Sequence, residues 1–285
     1  MIGPCPLSPV PCPLFPVPCP LSPVPSPLAP HPSPIAYIDA SHVEAYSDSG
    51  WGFDGVAGLA LTLMRNGYQP FLLPELTGER LERAGMLISI APARPFAREE
   101  RAAVRRFVES GGIFLATVGA EHAGPIQPLL EDFGLRVPRS PIRPGEEDHE
   151  PEPMGHFSTL YRARGADHDA GLLFYTGWPI ECEPSDELVR GFGNLPVIAL
   201  RKVGDGKVVL IGDSAFAMNK NLEYVGGQPF EGRYDNAHFW RWLITYLTGQ
   251  DVWIPPSKEP PGSQTPAGNN ADKLSDETGI KEVAP

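Results

Sequence analysis

"GMLISIAPARPFAREERAAVRRFVESGGIFLATVG", residues 85–119, carries the pattern that decides the fold. Its opening run, 85–92, is apolar almost throughout and is closed by Pro92, and "IFLATVG" at 113–119 repeats that character. Between them Phe96, Ala103, Val104, Phe107 and Val108 form one stripe at helical spacing across 96–112, and Gly111 and Gly112 end it. A strand that is apolar on both faces has no solvent side, so it belongs in a sheet covered by helices above and below. Such strands alternating with helices predict an α/β domain with a mostly parallel sheet.

The flanking sequence extends the pattern. "IAYIDASH" (35–42) is a short β-type run, followed by the turn formers Asp39, Ser41 and His42. Residues 53–67 predict a helix on Val56, Leu59, Leu63 and Met64, with Gly67 as its stop. A strand follows at 68–74, and then a short helix in "GERLERA". Beyond residue 119 the spacing predicts a helix at 125–134 and strands at 171–183 and 196–213. The last of these is a late hairpin turned by "GDG" (204–206). "NAHFWRWLITYLTG" (236–249) closes the series with an apolar face of Phe239, Leu243, Tyr246 and Leu247.

Composition sets the boundaries. Of 285 residues 35 are Pro, concentrated at the two ends. Residues 1–34 repeat "PCPLSPV" nearly perfectly, and three prolines per repeat exclude the coiled coil that a heptad otherwise suggests. This head is expected to be polyproline II or disordered. The expected organisation is a Pro-rich head (1–34), one α/β domain (35–254) with an exposed acidic loop at 138–156, and a disordered polar tail (255–285). A net charge of −12 with no basic stripe argues against nucleic acid as a partner. The sequence lacks an apolar run of about 18 residues, so no membrane span is expected, and the start does not read as a signal peptide. Cys5, Cys12 and Cys19 fall in the repeat and Cys182 stands apart, with no zinc-like pairing.

Several stretches carry candidate chemistry. "KVVLIGDSAFAMNKNLEY" (207–224) ends an apolar run in Gly-Asp-Ser, and "DNAH" (235–238) follows. Together they resemble the nucleophile and Asp-x-x-His blocks of GDS hydrolases, which would make Ser214, His238 and Asp235 a triad. The motif comes three-quarters of the way along, and the intervening Gly and Asn-Asp blocks of those enzymes are missing. "VGAEHAG" (118–124) occupies the place of the Gly-x-Cys-x-Gly elbow of class I glutamine amidotransferases. It has Glu121 near the nucleophile position and no Cys, leaving Glu121 with His122 as an alternative acid/base pair.

In an open parallel sheet ligands bind at the carboxyl ends of the strands. That places Asp39, His42, Trp51, Glu121, Asp213, Ser214, Asn219 and Asn236 as ligand-binding candidates. Against this stands the tendency of Asp and Ser after a strand to cap the next turn. His42 beside Asp39 lacks a third ligand, so no metal and no cofactor are expected.

The order "YIDASH", 87–119, "GKVVLIGDSAFAMNKN" and "DNAHFWRWLITYLTG" resembles the bacterial domain of unknown function numbered 4350 over roughly residues 35 to 250. More distantly it is similar to GldG-type and ThuA-like members of the class I glutamine amidotransferase-like superfamily. The resemblance implies a flavodoxin-like three-layer α/β sandwich without the amidotransferase cysteine, and no established reaction. It also implies that "GD" ends a late strand and turns the chain into the final helix. Such relatives often carry membrane helices and sit near transporter or AAA-ATPase genes, which implies an accessory place in a membrane transport or envelope assembly. The expectation is a non-catalytic domain, cytoplasmic or peripheral to a membrane, binding an unknown protein or small-molecule ligand. The alternative is a Ser- or Glu/His-dependent hydrolase working at the same edge.

Overall fold

In the computed structural model the residues described are 33–42, 50–138, 157–162, 169–175, 177–191, 194–222, 224–225, 228–229 and 234–249. The Pro-rich head apart from its last two residues, the acidic loop beyond residue 138, and the polar tail lie outside them. The central stretch folds as its pattern requires. β3 (Met86–Ile90) and β4 (Ile113–Thr117) are buried at every position, and α3 (Arg98–Glu109) joins them with Ala103, Val104, Phe107 and Val108 inward.

Around this unit the chain runs β1 (Ile35–Asp39), α1 (Ala57–Arg65), β2 (Gln69–Leu73) and α2 (Gly78–Leu81) before β3, and α4 (Ala120–Asp132) after β4. Next come β5 (Phe157–Arg162), β6 (Asp169–Phe174), β7 (Glu187–Arg190), β8 (Pro196–Val203) and β9 (Gly206–Ile211), and α5 (Asn236–Thr248) ends the series. The main sheet has the order β2-β1-β3-β4-β9-β8-β7. The pairs from β2 through β9 are parallel, while β8 and β7 add antiparallel pairs through the expected hairpin. This is a three-layer α/β sandwich of flavodoxin-like type. One apolar core lies under α1 and α5, and the other under α2, α3 and α4. Arg101 ties α3 to α4 through a two-pronged pair with Asp132 (2.8 and 2.6 Å). Among the described residues no helix is long and apolar enough to cross a membrane.

Three expectations need correction, and two features were missed. The helix expected at 125–134 starts one turn earlier, at Ala120, with Gly119 as its cap and Pro125 and Pro128 inside it. Pro125 reads as a first helical residue, but the chain is already helical there. The strand expected at 171–183 stops at Phe174. Beyond it Trp178 and Ile180 donate to the carbonyls of Gly212 and Pro196 without joining a strand. Met64 and Tyr246, assigned to the apolar stripes, are 53% and 47% exposed, whereas Leu59, Leu63, Phe239, Leu243 and Leu247 of the same stripes are buried. Finally, β5 pairs with β6 in a separate hairpin, and the short β7 extends the main sheet; the sequence reading identified neither.

Candidate functional site at the carboxyl edge

The strand order reverses between β1 and β3, so their carboxyl ends flank the crevice where open α/β sheets take ligands. Asp39 and His42 sit there, and both are buried. Asp39 Oδ1 accepts the Ser41 N–H (2.9 Å) and O–H (2.6 Å), while Oδ2 faces His42 Nδ1 at 2.7 Å. His42 Nε2 reaches Glu100 Oε2, 3.2 Å away on α3, and the ring stacks on Phe96 with centroids 3.7 Å apart. Burial lowers the His42 pKa and is the largest single influence. The bonds and charges of Asp39 and then Glu100 outweigh it and leave the pKa raised above 6.5. Glu100, 58 residues from His42 along the chain, was not among the candidates read from the sequence.

Two strands away, the second cluster joins Ser214 of the expected triad to the Glu121–His122 pair that the sequence had set against it. Ser214 Oγ accepts the Gly119 N–H (2.7 Å) and donates to Glu121 Oε1 (3.1 Å), and His122 Nδ1 lies 2.9 Å from it. Neither His238 nor Asp235 is among its partners. The Asp235 carboxylate instead accepts the Gly171 N–H (3.1 Å). Glu121 and His122 stand in the first turn of α4, before the helix start expected at residue 125.

Donor counting limits what this cluster does. The Glu121 pKa is lowered below 4.5: burial raises it, but the bond to His122, a bond to its own backbone N–H, the charge of His122 and the Ser214 hydroxyl outweigh that. With an ionised carboxylate taking the Ser214 proton, His122 Nδ1 meets Oγ as a donor. For Ser214 to attack, Glu121 would have to take its proton, and a carboxylate held below its ordinary pKa is a weak base for that step. The Glu121 carboxylate also lies over Gly119, where a Cβ would come within 2.5 Å of it, so Ser214 and Glu121 together close the start of α4.

The remaining candidates brace backbone. Asp213 accepts the N–H of Ala215 and of Tyr175, both at 2.7 Å. Asn236 clamps both backbone groups of Leu173 and donates to Asn221 Oδ1. Asn219 accepts the Gly58 N–H (2.7 Å) and donates to the carbonyls of Gly50 (3.0 Å) and Gly52 (2.6 Å). Its own N–H reaches the Gly55 carbonyl and that of Lys220 the Phe53 carbonyl, while Lys220 Nζ pairs with Asp54 at 2.7 Å. Gly55 is required here, since a Cβ would lie 2.1 Å from the Gly50 carbonyl. The result is a pinned loop that presents Trp51 (39% exposed) and Phe53 (58% exposed) to solvent. The sequence flagged Trp51 but not Phe53. Among the described residues no three His, Cys, Asp or Glu side chains are arranged to hold a metal ion.

A family model described as Domain of unknown function (DUF4350) matches residues 52–244. No curated protein matches the chain. Among solved structures the chain is similar to one described as "mmIFT52 N-terminal domain", with 17% identity and a TM-score of 0.58, covering 77% of this chain and 100% of that one. It is also similar to the cytoplasmic protein STM1381 from Salmonella typhimurium LT2 (10% identity, TM-score 0.45, 75% of this chain and 99% of that one). A third similarity is to a beta-galactosidase from Halorubrum lacusprofundi (13% identity, TM-score 0.46), where 76% of this chain covers 30% of that one. At these identities the likeness concerns the fold alone, and the last two add no argument.

Proposed function

Because the chain belongs to the family described as Domain of unknown function (DUF4350), its function has to be read from its own side chains, and we propose that it is a non-catalytic binding or scaffold domain engaging a partner protein at the carboxyl edge of its sheet. The observation that carries this reading is a division of labour at that edge. Asp39, His42, Asp213, Ser214, Asn219 and Asn236 are buried and hydrogen-bonded to the fold itself, whereas Trp51 and Phe53 are held outward on a pinned loop. Pinning a loop that exposes two large aromatics prepares contact area at low entropic cost on binding. Trp51, Phe53 and the half-exposed Glu121 are the contact residues of this reading. Its domain limits are 35–254, and its wider kinship is with cysteine-less relatives of the class I glutamine amidotransferase-like superfamily. An accessory place in a membrane transport or envelope assembly follows from that kinship.

The test is affinity capture from the native organism with the wild-type chain, Trp51→Ala/Phe53→Ala and a control, Met64→Ser, on exposed α1 surface. The loop variant is expected to lose a partner that the control keeps. Equal retention by all three contradicts the reading.

A further inference from the structure

His42 is 1% exposed and has a carboxylate oxygen at each ring nitrogen, Asp39 Oδ2 at Nδ1 and Glu100 Oε2 at Nε2. A neutral imidazole has one N–H and one lone pair, so it satisfies one of these oxygens and turns a lone pair on the other. Two N–H groups satisfy both. We propose that Asp39, His42 and Glu100 form a protonation-dependent latch: the imidazolium fastens residues 91–97 and the start of α3 to the end of β1, and loss of its ring proton releases them.

The contacts around the ring define what is fastened. The His42 carbonyl accepts the N–H groups of Ala93 (2.6 Å) and Arg94 (3.3 Å), and the ring packs flat on Phe96. The Glu100 oxygen that faces Nε2 also accepts the Ala97 N–H at 2.7 Å, the last residue before α3. The segment leaves β3 through Ala91 at φ 44°, a left-handed conformation that costs an alanine energy, so it is held in a strained path. The charged groups facing the ring are Asp39 from β1 and Glu100 from α3. Asp39 is fixed by both donors of Ser41 and its side chain is fully buried, whereas that of Glu100 is 25% exposed. Deprotonation leaves two carboxylates and a lone pair in one cluster. Glu100 is the group free to move toward water, and the Ala97 bond goes with it.

The direction in pH follows from the raised pKa. A group whose pKa is higher in the folded state than its ordinary 6.5 stabilises fully below that value and loses its contribution as pH rises through the folded value. The latch is therefore closed in acid and opens toward alkaline pH.

The experiment uses the full chain. Long-range proton–nitrogen NMR below pH 6.5 is expected to show both His42 ring nitrogens protonated. Amide exchange at Ala93, Arg94 and Ala97, corrected for the intrinsic pH dependence, is expected to lose about tenfold or more of its protection as His42 titrates, while β3 and β4 amides hold theirs. Glu100→Ala is expected to leave the Ala97 amide unprotected at every pH and to lower the His42 midpoint, with a cooperative melt retained. A bare ring nitrogen below pH 6.5 overturns the latch, as does protection at the three amides that stays constant through the titration. If the variant does not fold, the wild-type titration decides.

Discussion

Replacing Asn219 by Ala removes the side chain that pins the Trp51 loop. Three hydrogen bonds go: one from the buried Gly58 N–H and two to the carbonyls of Gly50 and Gly52. An orphaned buried N–H costs about 1–3 kcal/mol, whereas carbonyls near the surface regain water and lose about 0.5–1 kcal/mol each. These terms sum to about 2–5 kcal/mol of unfolding free energy, and because Asn219 is fully buried the vacated volume adds to that. Asn219→Asp is a sharper control. It keeps the acceptor for Gly58 but turns carboxylate oxygens on two carbonyls, so it should destabilise at least as much. Urea unfolding followed by far-ultraviolet circular dichroism measures both, with amide exchange at Gly55 and Gly58 as a local readout. A loss under about 0.5 kcal/mol, with unchanged exchange at those amides, refutes the view that Asn219 holds the loop.

Glu121→Gln should flatten the acid limb of the stability curve. The lowered pKa of Glu121 stabilises the fold above about pH 4.5 and that contribution fades as pH falls through the lower folded value, so wild type and variant converge in acid. Thermal melts from neutral to acid pH check it, and a constant gap between them contradicts it. Ala91→Gly should be nearly neutral, because relief at φ 44° offsets the loss of a buried methyl at about 0.8 kcal/mol. Ala103→Gly, inside α3, has no such relief and should cost about 1–2 kcal/mol in the same denaturation assay. Equal losses at the two positions would remove the case for strain at Ala91.

The α/β architecture was legible because β3 and β4 are unbroken apolar runs and α3 between them keeps one helical stripe over three turns, and the late hairpin was legible from its Gly-Asp-Gly turn. Elements of four residues, such as β7, carry no period, and Pro125 inside α4 mimics a helix start. The candidate site was half legible. Asp39 and His42 are three residues apart, close enough for the turn after β1 to bring them into contact. Glu100 and the meeting of Ser214 with Glu121 and His122 depend on which strands are neighbours. That β4 adjoins β9 across more than 90 residues is a property of topology, not of local sequence. A helix-start acidic residue at the third position of α3 was the one available signal for Glu100.

Treatment of the intact chain with a fluorophosphonate, followed by intact-mass analysis, asks most directly whether the strand-end side chains hold the fold or break bonds. With the Ser214 proton committed to Glu121 and the Gly119 N–H on its oxygen, Ser214 is expected to stay unmodified. A single stoichiometric adduct on Ser214, abolished by His122→Ala in a chain that still melts cooperatively, would show a working nucleophile and contradict the binding role.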